Sequence, residues 1–170
     1  MSQPNILLLV SDQHRADWSS YAGAKHVLTP HLDGLADGGV VFSNAYCASP
    51  LCGPSRMAMM SGRRPEKLRI YINEHSLSPD IPTVAHALGL AGYETVLCGR
   101  MHFTGPDQRH GYERRLAGDF TRSYAGAVGT RIGEPGEGRE AAASNAAVAI
   151  RTAGAAGNPV LDYDRFVADC

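Results

Sequence analysis

At 170 residues the chain is long enough for one sizeable core and short for two, and 44% hydrophobic with 19% charged residues is an ordinary globular composition. A formal net charge of -1 with seven histidines lacks the basic excess of a phosphate-backbone binder, so no nucleic-acid partner is expected. Met1-Ser2-Gln3-Pro4 carries no basic n-region or cleavage site, and no apolar run reaches the roughly eighteen residues of a membrane span, so a cytoplasmic location without membrane attachment is expected.

Asn5 to Val10, Asn-Ile-Leu-Leu-Leu-Val, is a continuous apolar run without alternation, which suits a central strand of a parallel sheet covered on both faces. It leads into Ser11-Asp12-Gln13-His14. Ligands collect beyond the carboxyl ends of such strands, which makes Asp12 a candidate functional residue, although an Asp in this position is also a common cap or turn former. Thr29 to Ala36 reads as a capped helix with Pro30 at its first position, stopped by Asp37-Gly38-Gly39, and Val40-Val41-Phe42 as a second short strand.

Ser49-Pro50-Leu51-Cys52-Gly53-Pro54-Ser55-Arg56 then opens a helix, because Pro54 fits a first turn, where its missing N–H is not needed. Unpaired backbone N–H groups and the positive end of the helix dipole would point at position 52, and Arg56, one turn on, adds a cation on the same face. The plainer alternative is a small buried Cys52 and a surface Arg56. Arg63-Arg64-Pro65 ends this helix. Ile70 to Asn73 is extended, Pro82 to Gly92 has helical period, and Tyr93 to Cys98 is another strand, which together read as a right-handed parallel unit. Phe103 to Tyr112 is a loop by its Gly and Pro content. Residues 121–145 read as a Gly/Ala-rich flexible insertion, Glu140 to Ala153 as a possible alanine-rich helix, and Leu161 to Cys170 as the opening of a further helical segment spanning 146–170. Cys47, Cys52, Cys98 and Cys170 lack Cys-x-x-Cys spacing and are expected to be free thiols.

The spacing Cys52-x-Pro54-x-Arg56, closed by Ser61-Gly62-Arg63, resembles the signature of the sulfatase family. The strand ending in Asp12 and the later Gly99-Arg100-Met101-His102 add to it, with the wording of the choline-sulfatase-like and phosphonate-monoesterase-like branch. The resemblance covers residues 1–120 and implies an alkaline-phosphatase-like α/β fold, a parallel sheet flanked by helices, of which this chain is the amino-terminal part. It implies that Cys52 is converted to formylglycine by a formylglycine-generating enzyme, and that the hydrated aldehyde takes the sulfuryl group from a small-molecule sulfate ester.

By the same resemblance, Asp12, Gln13 and the modified Cys52 would hold a divalent cation, calcium first, with magnesium or manganese as alternatives. Gln13 stands where the family normally has a second Asp, which lowers the charge of the site. Arg56 would stabilise the nucleophile; Arg100, His102 and Asn73 would bind the sulfate. Asn73 is equally readable as a turn former. Arg100 replaces the family's lysine, and because a guanidinium does not give up its proton, His102 becomes the candidate general acid. The family's remaining metal ligands come from a part of the chain not present here, so a complementary chain or carboxyl-terminal part is the expected partner. Two other readings stay open: a phosphonate or phosphate ester hydrolase on the same framework, and a non-catalytic remnant in which Cys52 is never modified.

Overall fold

Pairing of strands among the described residues is confined to β1 (Val96–Leu97) and β2 (Arg114–Arg115), a parallel ladder with Val96 opposite Arg114 and Leu97 opposite Arg115. The computed structural model describes residues 3–119 and 159–170. The chain divides into two compact units, residues 1–46 and 47–170.

In the first unit, α1 (Pro30–Gly38) begins with proline at its first position after the cap residue Thr29. The Ser20 hydroxyl lies 2.8 and 2.7 Å from the two carboxylate oxygens of Asp33, and it accepts the Thr29 N–H at 2.9 Å. This network ties α1 to the 3-10 turn Ser20–Ala22. Asn5 to Val10 does not form the expected strand. Ile6 to Val10 are exposed, Leu7 at 82%, and no described segment pairs with them. The reason is physical: a parallel strand exists through ladder partners and covered faces, and an apolar run supplies neither by itself. Val40 to Phe42 stays outside any strand for the same reason.

The second unit is built on α2 (Cys52–Ser61), which starts at Cys52 as its prolines and glycines predict and ends on Gly62 in the left-handed region, with φ 65. Met57 and Met60, three apart, share one face and enter a core with Leu68, Ile70, Leu77, Leu97, Met101 and Phe103. After α2 come α3 (Pro65–Leu68), again opened by proline, and α4 (Val84–Leu90), capped by Thr83 and His86 in a reciprocal capping box. Ile70 and Tyr71 pair with no described segment, and the extended piece expected to run to Asn73 breaks at Ile72 into a turn, where the His75 N–H donates to the Ile72 carbonyl at 3.3 Å. The expected strand, helix, strand crossover is therefore corrected: the parallel pair is β1 with β2, joined by a loop without helix.

That loop is held by its own polar groups. Gln108 Nε2 donates to the carbonyls of Phe103 and Gly105, both at 2.7 Å, and Asp107 Oδ1 accepts the N–H groups of Arg109 and His110. Arg115 Nη1 reaches Gln108 Oε1 at 2.8 Å, so β2 grips the loop it follows. The helix expected from Leu161 onward is α5 (Pro159–Asp169). The Gly/Ala-rich insertion and the alanine-rich helix lie outside the described residues.

Candidate active site

Cys52 begins α2 without a side-chain cap from Leu51, the residue before it. Asn73, in the turn that begins at Ile72, does that work from across the unit: its Oδ1 accepts the Gly53 N–H at 2.9 Å and lies 3.5 Å from Cys52 Sγ. The approach needs glycine at 53. A Cβ there would stand 3.0 Å from Asn73 Oδ1 and 3.1 Å from its Cα.

Opposite Asn73, the loop leaving β1 turns sharply at Gly99, φ 90, and again at His102, φ 62. A positive φ at histidine is costly and persists where the surroundings impose it. The Arg100 Nη2 is 3.9 Å from Cys52 Sγ and 3.0 Å from His102 Nδ1. Because a guanidinium has no acceptor, Nδ1 must be the acceptor, and the neutral imidazole carries its proton on Nε2. The Arg56 guanidinium, buried at 6% exposure, donates to the Arg100 carbonyl at 2.7 Å. That bond is to the loop backbone, so Arg56 holds the segment that carries Arg100.

The turn at His102 is fixed by a residue the sequence reading did not single out. Asp119 Oδ2 accepts the His102 N–H at 3.1 Å and stands 3.5 Å from Arg115 Nη2. Burial pushes the Asp119 carboxyl up, while Arg115, Arg100 and His102 pull it down, with burial prevailing. Gly118-Asp119 has the composition of a turn, but nothing local ties it to position 102. Tyr163 of α5 closes this side, donating to the Gly118 carbonyl at 2.7 Å; burial first, then Asp119, raise its phenol to about 12.

Cys52, Arg56, Asn73, Arg100 and His102 are thus joined by direct contacts: a polarisable sulfur at a helix start, an amide, two guanidinium groups and an imidazole donor. This is an arrangement suited to a tetrahedral anion. Asp12 and Gln13 belong to the first unit, where Gln13 has φ 52. Among the described residues no group of three His, Cys, Asp or Glu side chains assembles that could hold a metal. A hard divalent cation wants about six oxygens, more than Asp12 and Gln13 offer, so the described residues do not by themselves fit a metal.

The family model described as Sulfatase matches residues 4–137. The chain is 44% identical over 118 residues to a choline-sulfatase of Rhizobium meliloti, covering 69% of this chain and 23% of that protein. It is 38% identical over 128 residues to arylsulfatase A of Bos taurus, covering 68% and 25%. The crystal structure of the phosphonate monoester hydrolase of Agrobacterium radiobacter superposes with a TM-score of 0.58 at 29% identity, over 72% of this chain and 26% of that one. The chain therefore spans about a quarter of the length of these relatives. With an alkaline-phosphatase-like α/β fold present in part and a matching family model over most of its length, the chain belongs to the sulfatase family.

Proposed function

We propose that this chain supplies the nucleophile side of a sulfuric ester hydrolase, with Cys52 the residue converted to formylglycine and a sulfate monoester the substrate. The observation that carries the reading is the bracketing of Cys52 Sγ by Asn73 Oδ1 at 3.5 Å and Arg100 Nη2 at 3.9 Å. As formylglycine, residue 52 supplies a hydrated aldehyde as the attacking group. Arg100 neutralises the non-bridging oxygens, Asn73 orients position 52 through the Gly53 N–H, and His102 offers its Nε2–H to the departing oxygen. Arg56 keeps the Arg100 backbone in register.

A divalent cation and the remaining ligands belong to the rest of the fold, supplied by a further segment or a complementary chain. The exposed apolar run Ile6 to Val10 is what such a partner would cover. Co-expression with a formylglycine-generating enzyme is the direct test. The peptide spanning Cys52 is expected to lose roughly 18 mass units, the difference between a thiol and an aldehyde side chain; an unmodified cysteine overturns the reading in favour of a non-catalytic remnant. The 170-residue chain alone is expected to turn over little or no aryl sulfate, with Cys52→Ala as the control. The likeness to a phosphonate monoester hydrolase supports a second reading on the same residues. Relative rates on matched aryl sulfate and aryl phosphonate esters, measured on the complemented enzyme, decide between them.

A further inference from the structure

We propose that Cys98 and Cys170 are a disulfide-forming pair that tethers the end of α5 to the loop carrying Arg100 and His102. The geometry rests on a shared acceptor: the Val167 carbonyl receives the Cys98 thiol at 3.6 Å and the Cys170 N–H at 3.3 Å. The seat is close-packed next door, where a Cβ at Gly99 would lie 3.1 Å from Val167 Cγ1. Both cysteines are free thiols in the structure, Cys170 exposed and Cys98 half-buried. Burial first, then the neighbouring Cys170, push the Cys98 thiol up to about 11.

Exposure sets the order of events, Cys170 being exposed and Cys98 half-buried. The Cys170 thiolate attacks a low-molecular-weight disulfide such as oxidised glutathione; a Cys170–glutathione bond forms, the glutathione S–S bond breaks, and one glutathione thiolate leaves. The Cys98 thiolate, its proton lost to solvent, then attacks the Cys170 sulfur and displaces the second glutathione. Two thiols are oxidised, one glutathione disulfide is reduced, and the Cys98–Cys170 bond remains. The consequence lies two residues on: α5 touches Gly99 through Val167 and Gly118 through Tyr163, and Gly118 precedes the Asp119 that fixes His102. Oxidation would fasten a support of the anion-facing loop, whatever reaction that loop serves.

The test uses the 170-residue chain with oxidised glutathione, folded and in urea, followed by peptide mapping without reduction. A Cys98–Cys170 cross-linked peptide is expected, forming on the order of tenfold or more faster in the folded chain, where the fold raises the effective concentration of the second thiol. Glutathione adducts without the cross-link, links to Cys47 or Cys52 instead, thiols that stay reduced, or equal rates in urea would each overturn the proposal.

Discussion

The His102 N–H is satisfied by Asp119 Oδ2 at 3.1 Å, across seventeen residues, and this bond spans the neck of the loop between β1 and the chain after β2. His102 keeps φ 62 because Asp119 holds it there. Replacing Asp119 by alanine leaves the His102 N–H without this acceptor and Arg115 Nη2 without its neighbouring carboxylate, and is expected to cost about 1–3 kcal/mol. Asp119→Asn retains a carbonyl acceptor and is expected to cost less. Urea unfolding of the three proteins checks the ranking; equal midpoints for the alanine variant and the parent would sink it.

The same carboxyl predicts a pH dependence. Its native pKa is raised above the reference 3.8, so above that value the folded chain retains a proton that the unfolded chain has released. The associated stability is fully present below about 3.8 and is lost as pH rises through the native value of Asp119. Asp119→Asn does not titrate, so the difference in urea midpoint between parent and variant should shift against the parent across that window. A difference that stays flat with pH contradicts the assignment.

Asn73 and Gly53 form a matched pair. Asn73→Ala removes the acceptor of a helix-start N–H and is expected to destabilise by about 1 kcal/mol, the usual worth of a cap. For Gly53→Ala two effects oppose each other: alanine gains up to about 1 kcal/mol of helix propensity, whereas forcing a methyl against Asn73 Cα costs about 1–3 kcal/mol. The larger wins, and the alanine variant should be the less stable. Thermal unfolding of each single variant and of the double variant resolves it, because removing the Asn73 side chain leaves its Cα in place and so only part of the clash.

Arg56→Met keeps the apolar stem but deletes the donor to the Arg100 carbonyl. A loss of about 1–3 kcal/mol is expected, in the range of a buried hydrogen bond to a charged group, together with faster hydrogen exchange in the segment 99–102. Unchanged exchange there would show that Arg56 does not hold the loop.

What could be read in advance follows the range of the forces involved. The start of α2 at Cys52, its close just ahead of Arg63-Arg64-Pro65, the proline-opened α1 and the loop character of 103–112 are set by neighbours within a turn, and sequence carries that information, whereas Pro65, which reads only as a breaker, opens α3. The gathering of Cys52, Asn73, Arg100 and His102 was anticipated through family resemblance rather than through periodicity. Asp119 escaped because its meaning depends on a chain reversal that brings it under a left-handed histidine. The strand expected at Asn5 to Val10 failed for a related reason: an apolar run specifies a preference for being covered, and pairing is decided by which segment is there to cover it.

The bare aliphatic stretch Ile6-Leu7-Leu8-Leu9-Val10 has a practical outcome for anyone handling this chain. Five uncharged aliphatic residues open to solvent, β-branched at Ile6 and Val10, are a template on which a second copy can stack edge to edge. Turbidity and light scattering should therefore climb with concentration, and Leu8→Lys should slow precipitation.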